Sequence, residues 1–137
     1  MAFRILVADE SFPMRRLVCR FLEAVGIGRP VESEHAEETL ETLAASRFEL
    51  LIIDTHMPSS TLGGVELLRA IRAQHAELTL VIMTTDADEA SIEAALEAGA
   101  TDYLIKPFGV EARQRLLELC QQERPVTLPK LEWAKGP

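Results

Sequence analysis

Short aliphatic runs alternate along this chain with longer stretches in which apolar positions recur every three or four residues. FRILVAD (3–9), PVESE (30–34), FELLIID (48–54), LTLVIMT (78–84) and TDYLIK (101–106) have the length and bulk of strands. Runs such as LLII lack the polar alternation of a half-exposed strand, so they fit strands covered on both faces. PVESE is more polar and fits a position near a sheet edge.

The intervening stretches predict helices. Met14, Leu17, Val18, Phe21, Leu22 and Val25 fall on one stripe; Ser11 suits the N-cap, Pro13 the first turn, and Gly26 with Gly28 the stop. A second helix over 36–46 turns Leu40 and Leu43 inward, and a third over 64–74 does the same with Val65, Leu68 and Ile71. The fourth begins near Asp88 and ends at Gly99. The fifth, over 110–122, buries Val110, Leu116, Leu117 and Cys120. Five strand–helix units in unbroken succession predict parallel pairing through right-handed crossovers, hence a three-layer α/β sandwich.

Length changes the picture little: 137 residues suit one core. The domain is expected over 1–124, followed by a proline-containing tail or linker over 125–137, in which Trp133 covers apolar surface. A net charge of −8 argues against a nucleic-acid groove or an anionic membrane as partner. The one basic cluster, Arg15, Arg16 and Arg20, reads as a solvated helix face. Cys19 and Cys120 lack metal spacing and read as reduced core thiols of a cytoplasmic protein without a signal peptide. His35, His56 and His75 are too scattered for zinc, and no apolar run reaches the ~20 residues of a membrane span.

Polar chemistry gathers where the strands end. Ligands of open parallel sheets bind beyond the carboxyl ends of the strands. There this chain has Asp9 and Glu10 after the first strand, Asp54 at the end of the third, Thr84 and Thr85 at the fourth, and Lys106 before Pro107 at the fifth. Each has a local explanation as a helix cap, an Asx turn or a surface lysine. Taken together, three acids in one place raise one another's pKa unless a cation neutralises them. All-oxygen ligation with room for water suits Mg²⁺, and Lys106 and Thr84 add donors for a phosphoryl group. Neither GxxxxGK[ST] nor GxGxxG occurs, so no nucleotide cradle is present. The acceptor that remains is a carboxylate of the site itself, Asp54, forming an acyl phosphate.

In order along the chain, ILVADES, MRRLV, LLIIDTHMP, GVELL, VIMTTDA and AGATDYLIKPF resemble the landmarks of the receiver domain of two-component response regulators, most of all the stand-alone chemotaxis type. Asp9, Asp54, Thr84 and Lys106 follow one another at intervals of 45, 30 and 22 residues, which strengthens the likeness. The resemblance implies a flavodoxin-like fold of strand order 2-1-3-4-5 and transfer of a phosphoryl group to Asp54 from a histidine kinase or phosphotransfer protein. It implies Mg²⁺ held by Glu10, Asp54 and the backbone carbonyl of His56, with Asp9 acting through water. It implies further that Lys106 pairs with the phosphoryl group beside a cis peptide to Pro107. By the same likeness Thr84 and Tyr103 would be the switch positions, the hydroxyl moving toward the phosphoryl group and the ring turning inward, which would remodel the fourth helix, fifth strand and fifth helix, the surface that meets a downstream protein or a second copy. Such a domain is no enzyme beyond its own phosphorylation and dephosphorylation.

The chain departs from the family pattern in four places. Glu10 replaces a second aspartate, Thr85 a smaller residue, the loop PSSTLGG is longer at the mouth of the site, and His56 and Asp86 flank Asp54 as modulators of phosphoryl lifetime. Three readings follow: a stand-alone phosphorylation switch, with no room after residue 124 for an output domain; a receiver cut from a longer regulator with a DNA-binding or enzymatic output domain; and an unphosphorylated pseudo-receiver that acts as an interaction module.

Overall fold

A computed structural model describes residues 3–57, 61–85 and 88–123. The strands are β1 (Ile5–Ala8), β2 (Val31–Ser33), β3 (Leu50–Asp54), β4 (Thr79–Thr84) and β5 (Asp102–Ile105). They alternate with helices α1 (Phe12–Ala24), α2 (Ala36–Ala45), α3 (Gly64–Gln74), α4 (Glu89–Glu97) and α5 (Val110–Glu123). All four strand pairings are parallel, in the order β2-β1-β3-β4-β5, as the alternation predicts.

The aliphatic runs make sense once both faces are seen. Alternate side chains of a strand point to opposite sides, so a strand covered twice needs apolar residues at every position. Ile5, Val7, Leu50, Ile52, Val81, Met83 and Leu104 pack under α1 and α5. Leu6, Ala8, Leu51, Ile53, Leu80 and Ile82 pack under α2, α3 and α4. Cys19 and Cys120 are buried in the first of these cores and are not joined in a disulfide. Burial there pushes the Cys19 thiol up to about 11, so it is not a reactive thiolate at neutral pH.

Helix starts follow their side chains. Ser11 Oγ accepts the Met14 N–H at 3.2 Å, and Asp88 Oδ2 accepts that of Ser91 at 3.1 Å. His35, counted in the sequence only as a poor zinc ligand, caps α2 by accepting the Glu38 N–H at Nδ1, 3.2 Å away.

Two inward assignments and one outward assignment change. Leu17 lies 39% exposed, because the buried stripe of α1 runs through Val18, Phe21 and Leu22. Val110 is 41% exposed: it opens α5, and the residues that bury this helix are Ala112, Leu116, Leu119 and Cys120. Arg15, expected in solvent, is buried.

At the amino end of the sheet Arg72 binds the end of α3 to the turn ahead of β5. Its guanidinium donates to the carbonyls of Gly99 at 2.7 and 2.9 Å, Leu78 at 2.6 Å and His75 at 3.0 Å. Gly99 has φ +121°, and a Cβ there would lie 2.8 Å from Cβ and Cγ of Arg72. Strain of backbone and contact together is expected to make Gly99→Ala about 2 kcal/mol less stable. A lower urea midpoint at unchanged slope is the measurement that checks it.

Candidate functional site

Strand register brings the polar residues together. Ala8 pairs with Ile53 and Thr84 with Ile105, so the residue after β1, Asp9, lies beside Asp54 at the end of β3. On the other side the backbone N–H of Lys106 continues the ladder to the Thr84 carbonyl at 2.8 Å. The crevice between β1 and β3 is also where the order of strands reverses, the usual place for a ligand in an open α/β sheet.

One ammonium joins two acids there. Lys106 Nζ donates to Asp9 Oδ2 at 2.9 Å and to Asp54 Oδ2 at 3.0 Å. The other oxygens are held by backbone: Asp9 Oδ1 accepts the Ser11 N–H at 2.8 Å, and Asp54 Oδ1 the His56 N–H at 3.0 Å. Asp9 is 1% exposed and Asp54 8%, so both carboxylates are largely withdrawn from water. The Lys106–Pro107 peptide is cis.

Burial pushes the Asp54 carboxyl above its ordinary value, more than the bonds from His56 and Lys106 draw it down, and the charge of Asp9 adds to the rise. Burial alone would lower Lys106; the hydrogen bonds to Asp9 and Asp54 outweigh it and leave the ammonium raised. Two carboxylates on one lysine leave the cluster with a net negative charge. That residual charge and the all-oxygen donor set suit Mg²⁺, which is commonly held by one or two carboxylates, its own waters and phosphate oxygens.

The remaining residues stand around this centre in different ways. Thr84 is buried at the end of β4, and Thr85 after it is exposed. Glu10 is half-buried, and among the described residues no three His, Cys, Asp or Glu side chains are gathered as a ready-made metal cage. Of the three acids read at the strand ends, Asp9 and Asp54 are bridged by Lys106. His56 is exposed, and its backbone N–H is the atom that meets Asp54. Asp86 and residues 58–60 of the PSSTLGG loop lie outside the described residues, as does the segment over 124–137. The described end of that loop is tied down: Thr61 donates both its N–H and its hydroxyl to Glu37 Oε2, at 3.1 and 2.7 Å.

Tyr103 is half-buried against the core beneath α2, α3 and α4. The Arg115 guanidinium lies 5.2 Å from its ring centre and donates twice to Asp102 Oδ1, at 2.6 and 3.0 Å. Beside Thr84, α3 and α4 leave a cleft of about 260 Å³ lined by Thr55, Val65, Leu68, Thr84, Ser91 and Ile92. A broader groove of about 910 Å³ runs between β5 and α5, past Tyr103, Val110, Gln114, Arg115 and Glu118.

Arg15 was missed by reasoning from the sequence. Its guanidinium reaches back along α1 to the carbonyl of Asp9 at 2.7 Å and donates through Nε to Glu32 Oε1 at 3.1 Å. The available signal was its position: Arg15, Val18 and Leu22 lie at i, i+3 and i+7, on the inward stripe.

Comparison with known proteins agrees with this geometry. Residues 5–120 match the family model described as the response regulator receiver domain. Chemotaxis protein CheY1 of Helicobacter pylori is 33% identical over 119 residues, covering 85% of this chain and 94% of that protein. The crystal structure of the receiver domain of NtrX from Brucella abortus superposes with TM-score 0.78 at 27% identity, over 90% of this chain and 99% of that one. The chemotaxis response regulator CheY4 of Vibrio cholerae gives 0.77 at 25% identity, over 88% and 99%. Among the described residues, no helix is long and apolar enough to cross a membrane.

Proposed function

This chain belongs to the response regulator receiver domain family, whose members are signalling switches, and from that premise we propose that Asp54 is the residue that accepts the phosphoryl group. The observation that carries the proposal is the shared ammonium of Lys106, 2.9 and 3.0 Å from Asp9 and Asp54 at the carboxyl ends of the strands.

An Asp54 carboxylate oxygen attacks phosphorus, the bond from phosphorus to the donor's imidazole nitrogen breaks, and the electron pair leaves with the imidazole. Burial makes the Asp54 carboxylate more basic than one in water and to that extent a better nucleophile once ionised. Its Oδ1 is oriented by the His56 N–H. Lys106, already paired with the acceptor oxygen, can follow the negative charge onto the phosphoryl oxygens, and the Thr84 hydroxyl is a further donor. Glu10, Asp54 and the His56 carbonyl would hold Mg²⁺, with Asp9 acting through water, and the ion would supply positive charge to the transferring group. Partners of this reading are a cytoplasmic histidine kinase or phosphotransfer protein and a downstream protein at the groove between β5 and α5; a second copy is the other candidate for that face.

The test is addition of Mg²⁺ and beryllofluoride to the whole chain, followed by amide NMR. Shifts at Thr84, Lys106 and Tyr103 that require both reagents are expected, beyond those that Mg²⁺ alone produces at the acids. A spectrum that responds to neither would sink the proposal in favour of an unphosphorylated interaction module.

Arg115 gives a second prediction. Its contacts hold Tyr103 from outside, so Arg115→Met should loosen the ring and shift the switch toward its inward state. By reciprocity that raises beryllofluoride affinity, by about threefold for a half-exposed contact of this kind. Titration of variant and wild type side by side checks it.

A further inference from the structure

The β1–α1 turn that carries Asp9 and Glu10 is held from behind by a charge that never enters the site. Arg15 is 8% exposed, an unusual burial for a permanently charged group, and its Nε and Nη1 both meet acceptors. Nη1 donates to the Asp9 carbonyl at 2.7 Å and lies 3.5 Å from that of Glu10. Nε donates to Glu32 Oε1 at 3.1 Å, and Arg16 Nη1 takes the other oxygen of Glu32 at 2.7 Å. Arg15 thus links α1, the edge strand β2 and the end of β1 in one network.

Asp9 is fixed at three other points. Its N–H donates to the Ser33 carbonyl at 3.1 Å, its Oδ1 accepts from Ser11, and its Oδ2 accepts from Lys106. None of these sets the plane of the peptide that joins Asp9 to Glu10. The Arg15 bond does, because it grips that peptide's carbonyl oxygen. The plane fixes ψ of Asp9 and φ of Glu10, and so the direction in which the Glu10 side chain leaves the backbone. Glutamate has one more rotatable bond than aspartate, so its carboxylate depends more on where its chain starts. A guanidinium suits this position because its planar fork reaches a carbonyl and a carboxylate at once, which the single point of a lysine ammonium does not.

We propose that Arg15 is a positioning residue for the acidic turn, holding the Asp9–Glu10 peptide in the orientation that receives Mg²⁺, with Glu32 as its anchor. The proposal rests on the reading of Asp9 and Glu10 as metal-side acids. It predicts weakened metal affinity on a change at Arg15 even though Arg15 touches no metal, because groups that orient ligands from outside typically change metal affinity about 10–100-fold when altered.

The test is titration of Mg²⁺ alone into the whole chain, followed by amide NMR, for wild type, Arg15→Gln, Arg15→Lys and Glu32→Gln, with thermal melting measured on each. Wild type is expected to shift at Asp9, Glu10 and Asp54. Arg15→Gln should weaken Mg²⁺ by about tenfold or more, Arg15→Lys should recover part of that loss, and Glu32→Gln should weaken it by about threefold. Movement of the Asp9 and Glu10 amides before any metal is added is the signature of a turned peptide. If Arg15→Gln does not fold, Glu32→Gln decides. Wild-type binding with every folded variant inside twofold, whatever happens to melting, overturns the proposal and leaves the metal reading standing. A wild type with no Mg²⁺ response overturns that reading, and the role of Arg15 with it.

Discussion

Asp54→Asn is expected to take up no phosphoryl group from acetyl phosphate in the presence of Mg²⁺, while wild type gains one acid-stable, base-labile phosphoryl per chain by intact-protein mass. The amide keeps the shape of the side chain but offers no carboxylate oxygen to form an acyl phosphate. Incorporation at wild-type extent in the variant would move the acceptor elsewhere. The same variant should not be less stable at neutral pH. Wild type carries a buried charge whose carboxyl is raised above its usual 3.8, mainly by burial. A carboxyl raised in the folded state binds its proton there before the unfolded chain does. The stability it contributes is present below 3.8 and lost as pH rises through the higher folded value. Melting temperature against pH should therefore fall over that window in wild type and run flatter in Asp54→Asn. Lys106 keeps its bond to Asp9 in the variant, now as a one-to-one pair.

Lys106→Met carries the second large effect. The ammonium is 12% exposed and is paired with both Asp9 and Asp54. Removing one partner of a buried ionic cluster leaves charge uncompensated, so a loss of about 3 kcal/mol is expected at neutral pH by urea unfolding. Acidification should recover part of it as Asp54 protonates, and Lys106→Met combined with Asp54→Asn should recover part at neutral pH. The raised ammonium of wild type adds an alkaline limb. Its stabilising contribution is present below 10.5 and lost as pH rises through the higher folded value, and the methionine variant should lack that limb. Phosphorylation by acetyl phosphate should also slow about a hundredfold, the scale on which one preorganised donor to developing phosphoryl charge acts. A variant of wild-type stability and rate would show that Lys106 has no part in the chemistry.

Some parts of this molecule were plain in the sequence because local rules govern them. β3 announces itself as LLII because it is covered on both faces, and the charge of Asp54 stands out where the cover ends. β2 was faint because three residues on an edge, one of them half-buried and one exposed, carry little hydrophobic signal. Arg15 was misread because its type suggests solvent. The acceptors that permit its burial are the carbonyl of Asp9 and a carboxylate 17 residues away on another element. His35 was overlooked for a similar reason: a ring nitrogen serves as an N-cap less commonly than a hydroxyl or carboxylate does. Val110 shows the limit of periodicity at a helix start, where the inward stripe has not yet met the sheet.

By itself the sequence determined the succession of five strand–helix units, hence a parallel sheet clothed on both sides, and it determined that acids, hydroxyls and a lysine end the strands. Only the tertiary structure decided that Asp9 and Asp54 share Lys106, although the lysine stands 97 and 52 residues from them along the chain. It also decided that Arg15 turns inward. The reason is physical. Which element a residue belongs to follows from side chains a few positions apart, whereas which carboxylate faces which ammonium follows from strand order and register. Those are fixed by how all ten elements bury their apolar faces together.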